Sequence, residues 1–253
     1  MRPTLWSLSF SPWSDQARWA LDHCGVDYAR RAYQPLLGEP GLRWKLRKWT
    51  GPVSVPILEA DGGVLDDSFD IARYADAHAI EPSRRLFPDG SEAQIAEYDR
   101  LAQRALSAAR KLGLQRVLQD ESALGDLVPK NLKVLGPVAI KIAASGVRRT
   151  IRKYADVTPD DPRAAIVEAL DRLREDLPAP NGKDKPRFVL GTFSYGDIVM
   201  AQALAFVSPP PSHLRLGEGS RRAYLIEDLA EEYADLVRWR DGLYAQRKPD
   251  RKR

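Results

Sequence analysis

Cysteine is nearly missing from this chain of 253 residues: there is one, Cys24. A single thiol can build neither an intrachain disulfide nor a cysteine-based zinc site, so a reducing, cytoplasmic setting is the expectation. Histidine is also sparse. His23, His78 and His213 share no metal-ligand spacing, and no metal is expected. No run of about 18 apolar residues exists, so no membrane span is expected. The opening residues lack the basic-then-apolar pattern of a secretory signal. Charge of one sign is not in great excess either, at a net +4. The positive residues gather at 141–153 and 247–253, which read as a solvated helix face and a frayed end. No aromatic interleaving accompanies them, which argues against a nucleic-acid partner.

What is present is a chain long enough for one large domain or two ordinary ones, with 43% hydrophobic residues, too many for global disorder. Residues 5–10 alternate with period two and read as a strand. Ala17, Ala20, Leu21 and Cys24 then recur at helical spacing, and Gly25 falls where a helix over 13–24 would stop. Residues 28–33 read as a second strand and 41–49 as a short basic helix. Residues 53–59 and 63–65 form two strands around the turn Asp61-Gly62, and a helix follows through Ile71, Tyr74, Ala75 and His78. That order predicts a mixed sheet with helices on its faces over residues 1–80. Residues 81–91, with Pro82, Pro88 and Gly90, read as a linker. Everything over 92–253 reads as helical: stripes at 98–112, 138–154 and 166–177, an apolar and therefore buried helix at 198–207, and a last helix over roughly 221–244.

Three short stretches of the first portion can carry chemistry. Ser11-Pro12 is a helix start on physical grounds, a serine cap followed by proline at the first helical position. A helix N-terminus also carries partial positive charge and unpaired donors, so a thiol held there loses its proton more easily, and a serine hydroxyl can donate to the sulfur. Ser9 and Ser14 are rival hydroxyls. Pro56 interrupts an apolar run and demotes it from a central strand. Either the strand is an edge beginning at a trans Pro56, or a cis Val55-Pro56 bond precedes it and leaves the Val55 backbone free to pair with an extended peptide. Asp67-Ser68 opens the next helix. Both residues suit a cap, and the same geometry holds a carboxylate on Ser68 and the helix N–H groups, with an ammonium on Asp67. A fourth stretch, Ser194 to Asp197, reads as a capping box with Phe193 and Ile198 as its staple, structural in purpose.

These stretches, in this order, resemble the soluble glutathione S-transferases over nearly the whole chain. Residues 11–21 are similar to that family's active-site turn and first helix, residues 55–58 to its cis-proline strand, and residues 67–74 to its Glu/Asp-Ser motif. Residues 188–197 are similar to its capping-box segment. The resemblance implies an α/β thioredoxin-like N-terminal domain plus an all-α C-terminal helical bundle, and a serine-type site like that of bacterial theta- and tau-like members. It implies glutathione as co-substrate, with Ser11 on the thiol, Val55 and Pro56 along the cysteinyl backbone, and Asp67 and Ser68 at the γ-glutamyl end. A small hydrophobic electrophile is the implied second substrate and a homodimer the implied assembly. Serine at position 11 cannot form a mixed disulfide, so conjugation or isomerisation is expected before thiol reduction. The alternative is a non-catalytic binding or interaction module with the same fold. Asp67 is shorter than the family's more common glutamate. For the glycyl carboxylate, Arg43, Lys45 and Arg47 are candidates by charge alone.

Overall fold

The computed structural model describes residues 2–33, 39–51, 53–180 and 186–247, with the backbone alone at 130 and 131. The chain opens with β1 (Thr4–Ser7), α1 (Pro12–His23), β2 (Ala29–Ala32) and α2 (Glu39–Leu46). The hairpin β3 (Ile57–Ala60) and β4 (Gly63–Leu65) follows, and then α3 (Ser68–Ala77). The strands form one mixed sheet in the order β2-β1-β3-β4. β1 runs parallel to β2 and antiparallel to β3, with Trp6 opposite Ile57. Alternation along β1 sends Leu5 into the main core, where it meets Ala17 and Leu21 of α1 and Ile71 and Ala75 of α3. Trp6 packs on the other face, against a small cluster of Leu42, Val53, Val55 and Ile57. The sheet is therefore a middle layer, with α1 and α3 on one side and α2 on the other.

Both candidate strands are shorter than their apolar runs. The Leu8 N–H donates to Ser14 Oγ at 3.0 Å and its C=O accepts from Arg18 Nη1 at 2.9 Å. The backbone thus leaves the sheet after Ser7, because side chains of α1 claim its hydrogen-bonding groups. On the neighbouring strand the Val55-Pro56 bond is cis and the ladder begins at Ile57. Helix α1 ends as its sequence indicates, with Gly25 at φ +74°; a side chain there would also meet Ile80 at 2.5 Å.

Residues 81–91 do not run free. Leu86 and Phe87 donate their N–H groups to Asp76 Oδ1 at 2.6 and 3.0 Å, and Arg85 pairs with Asp76 at 2.9 Å. The rest of the described chain is helical: α4 (Glu92–Val117), α5 (Glu121–Leu127), α6 (Pro137–Lys153), α7 (Pro162–Asp176), α8 (Tyr195–Ala203), α9 (Glu218–Tyr224), α10 (Glu227–Glu232) and α11 (Ala234–Gln246). Helix α4 packs on α7, α8 and α9. Every residue of α8 is buried, as its all-round apolar sequence requires. Its capping box forms: the Asp197 carboxylate accepts from the N–H groups of Val189 and Ser194 and from Ser194 Oγ. The single last helix expected over 221–244 is in fact three. The chain becomes extended at Leu225 and Ile226, where Ile226 donates to Val207 O at 2.8 Å and Arg116 donates to Leu225 O at 2.6 Å. Tertiary partners outcompete helical ones at that point, and no glycine or proline marks the break.

A buried ionic clasp joins α1 to the end of α11. Asp15 is wholly buried and accepts from Arg18 (2.9 Å), from Arg247 Nη1 (2.9 and 3.0 Å), from Gln202 (2.7 Å) and from Tyr244 OH (2.9 Å). Burial alone would raise its pKa. The Arg247 and Arg18 guanidiniums outweigh burial and hold the carboxyl well below the usual range. Of the basic run at 247–253, Arg247 lies within the described residues, and it is this buried partner rather than part of a solvated end.

Candidate functional site

Sheet register brings the three candidate stretches to one end of the molecule. Antiparallel pairing of Trp6 with Ile57 sets the start of β3 beside the end of β1. Pairing of Leu58 with Leu65 sets the end of β4 beside them. The turn carrying Ser11, the Val55-Pro56 peptide and the Asp67-Ser68 helix start therefore all emerge from the same edge of the sheet, and α1 packs directly on α3.

Ser11 is the N-cap of α1 in an extended conformation, with the Ser14 N–H donating to its Oγ at 3.4 Å. That long contact uses an acceptor lone pair and leaves the hydroxyl proton available. Ser11 is 8% exposed and so reaches the surface narrowly, whereas Ser14 is sealed at 0% and its oxygen is occupied by Leu8. Ser9 is half-buried and its carbonyl accepts from Arg215. Among the described residues the Val55 N–H and C=O have no backbone partner. Asp67 caps α3, accepting from the Phe69 N–H at 2.7 Å, and Ser68 is buried in its first turn. Burial pushes the Asp67 carboxyl up, more than the Phe69 N–H holds it down, and the charges of Asp70 and Asp66 add to the rise.

Further groups at this edge carry no local motif. Gln103 of α4 donates to Asp99 Oδ1 at 3.1 Å and accepts from the indole N–H of Trp13, two residues after Ser11. Burial pushes the Asp99 carboxyl up to about 6, with the nearby Asp67 charge contributing. The Tyr195 hydroxyl, at the start of the capping-box helix, is fully buried beside Ser68 and faces Asp99. The stretch read as purely structural thus also backs the Asp67-Ser68 end. Arg110 also meets Trp13, its guanidinium 4.6 Å from the indole and 3.9 Å from the Tyr154 ring. The i,i+7 spacing of Gln103 and Arg110 on one helix face is the signal that could have linked them.

Helix α6 carries the solvated basic face expected, with Lys141, Arg148, Arg149 and Arg152 exposed, but two of its cations reach the N-terminal portion. Arg149 pairs with Glu39 of α2 at 2.9 Å, and Lys153 donates to the carbonyl of Val53, close to the Val55-Pro56 peptide. The three cations proposed for a carboxylate separate clearly. Arg43 is engaged by Glu39 and by the carbonyls of Lys48 and Gly51. Lys45 pairs with Glu59 and lies over Trp6. Arg47 is exposed, at φ +50°, with no side-chain partner among the described residues. No group of side chains among the described residues could hold a metal ion, and no helix there is long and apolar enough to cross a membrane.

Residues 10–78 match the family model described as glutathione S-transferase, N-terminal domain. No curated protein matches the chain by sequence. Solved structures share its fold over nearly the full length. One is a glutathione S-transferase from Methylobacterium radiotolerans in complex with glutathione sulfonate. It is 18% identical, with 97% of this chain and 92% of that one covered and a TM-score of 0.57. A second, from Methylobacillus flagellatus with glutathione bound, is 17% identical with 98% and 96% covered and a TM-score of 0.56. A third, glutathione transferase GSTFuA2 from Phanerochaete chrysosporium, is 16% identical with 95% and 98% covered and a TM-score of 0.57.

Proposed function

With a glutathione S-transferase N-terminal domain matched at residues 10–78 and the two-part fold of that family over the whole chain, we propose that this protein binds glutathione and activates its thiol for attack on an electrophile. The observation that carries the reading is the convergence of Ser11, Val55-Pro56 and Asp67-Ser68 on one edge of the sheet. The glutathione and glutathione sulfonate held by two structures of this fold support it. In this reading Val55 pairs with the cysteinyl backbone through its free N–H and C=O. Ser68 and the α3 N-terminus take the γ-glutamyl carboxylate, and Asp67 takes the ammonium. The Ser11 hydroxyl donates to the sulfur at the α1 N-terminus.

Chemistry then follows from electrostatics. A free thiol of pKa near 8.5 is a few per cent thiolate at neutral pH; lowering that value to about 6.5 makes most of it thiolate, worth about 2–3 kcal/mol. The thiol proton leaves to solvent, a sulfur lone pair forms the new bond to carbon, and the leaving group departs with the electron pair of the bond that breaks. Conjugation is favoured over thiol reduction, because Ser11 can form no disulfide. Cys24, the sole thiol, is buried and raised to about 12 by that burial. Reduced glutathione as co-substrate goes with a cytoplasmic location, and a homodimer is the expected assembly. The test is an ultraviolet titration of the glutathione thiolate with and without protein. A bound-thiol pKa well below the free value, and an Ser11→Ala variant that loses turnover far more than glutathione affinity, are the expected results. Equal turnover in Ser11→Ala would remove Ser11 from the reaction. Absence of glutathione binding would leave a non-catalytic module.

A further inference from the structure

Beside Trp13, a shallow cleft of about 80 Å³ opens between α4, α6 and the turn after α6. Arg110, Lys111, Leu114, Thr150, Tyr154 and Thr158 line it, and no lining residue is acidic. Arg110 is the unusual member. Its guanidinium carbon lies 4.6 Å from the centre of the Trp13 ring and 3.9 Å from that of Tyr154, close enough for cation–π attraction, which consumes none of its N–H donors. The five N–H donors of an arginine lie in its plane, and among the described residues none of Arg110's finds a hydrogen-bond acceptor or a carboxylate. None of its nitrogens is sealed from solvent either, so these donors are open to the cleft. Both threonine hydroxyl protons are already committed, Thr150 donating to Gly146 O at 3.0 Å and Thr158 to Tyr154 O at 2.8 Å, so neither competes with Arg110 as a donor to an anion in the cleft. Lys111 adds a second positive charge.

We infer that Arg110 is a substrate-binding residue that selects electrophiles carrying a carboxylate or similar planar oxyanion, held edge-on while the two rings clamp the guanidinium. The inference rests on the proposed function only in taking this cleft, adjoining the Ser11-Trp13 turn, as the electrophile's side of the site. Three physical points support it. A half-buried guanidinium held against two aromatic rings is pre-organised for bidentate oxyanion contact. Burial works against its charge, pushing its pKa down, and an anion reverses that cost. The cleft has room for a single substituted ring.

The test compares 4-chloro-3-nitrobenzoate with 4-chloro-3-nitrobenzamide, which share shape and reactive carbon and differ in charge. With glutathione, the wild type is expected to favour the benzoate by roughly 10- to 100-fold in kcat/KM, the range of a charge-assisted hydrogen-bond pair. Arg110→Gln is expected to lower kcat/KM for the benzoate far more than for the benzamide and so erase that preference, and Arg110→Lys to keep part of it. A parallel calorimetric titration uses 3-nitrobenzoate and 3-nitrobenzamide, which need no glutathione. Benzoate binding that is lost in Arg110→Gln, in a protein without turnover, would sink the proposed function and keep the anion site. Turnover with no preference for the carboxylate, equal losses for both compounds in Arg110→Gln, or no benzoate binding to the wild type would overturn the anion site.

Discussion

Removing the Asp15 carboxylate should be among the most damaging single changes in the molecule. Asp15→Ala leaves Arg18 at 3% exposure and Arg247 at 9% with their shared counter-charge gone, and takes the acceptor from Gln202 and Tyr244. Breaking one member of such a buried set costs about 3–5 kcal/mol, mostly as uncompensated charge rather than lost volume. Asp22, 3.8 Å from Arg247, softens the loss and favours the lower end. For a chain of this size the corresponding fall in melting temperature is roughly 6–20 °C. Asp15→Asn keeps the shape while removing the charge and replacing one of the two acceptor oxygens with an NH2 donor. The pH arm has a definite sign. A carboxyl whose folded pKa lies below its unfolded value contributes stability that is present above about pH 4 and is lost as pH falls toward the folded pKa. Urea midpoints measured from pH 7 to pH 2.5 should therefore fall more steeply in the wild type than in Asp15→Asn. A loss below 1 kcal/mol in Asp15→Asn, or parallel acid limbs in the two proteins, would refute the clasp as a source of stability.

Two other perturbations test the site's supports. Asp99, raised to about 6, is neutral below that pH and charged above it; glutathione affinity should weaken as pH drops from 7 to 5, and Asp99→Asn should flatten the curve. In the free protein its contribution to stability runs the other way, present below pH 4 and lost as pH rises through 6, and Asp99→Asn should remove that slope in urea midpoints. Gly113→Ala puts a methyl 2.1 Å from the Tyr224 ring, which is stacked on Phe206 at 4.2 Å. The overpacking cost of about 1–3 kcal/mol should exceed the helix-propensity gain of about 1 kcal/mol, lowering the urea midpoint.

Chemistry confined to a few neighbouring residues was legible in the sequence, and chemistry that waits for distant partners was not. Ser11-Pro12, Asp67 and the Ser194–Asp197 box announce their helix starts because capping acts within one turn. Alternation in β1 and the all-round apolarity of α8 likewise reported burial. By contrast, the break between α9 and α10 is made by Val207 and Arg116, outside both helices. The early end of β1 is made by side chains of α1. The basic residues Lys141, Arg148, Arg149 and Arg152 are exposed, as the sequence suggests, but the pairings of Arg149 with Glu39 and Lys153 with Val53 were not legible because those partners lie a hundred residues earlier. Of the site, the glutathione-facing candidates come from local motifs. Asp99, Gln103 and Arg110 come from one face of α4, whose purpose shows only once α1 is packed against it.

The Asp15 clasp also sets an order of events in synthesis. Asp15 and Arg247 are 232 positions apart, so at cellular elongation rates roughly 10–50 s separate their appearance. Throughout that interval the first helix carries an acidic group built for a dry, doubly cationic socket, and only the last turn of α11 completes the socket. The N-terminal portion of a nascent chain is therefore held short of its final state until position 247 has left the ribosome, and a chain stopped before that point is chemically distinguishable at this helix from one that has passed it.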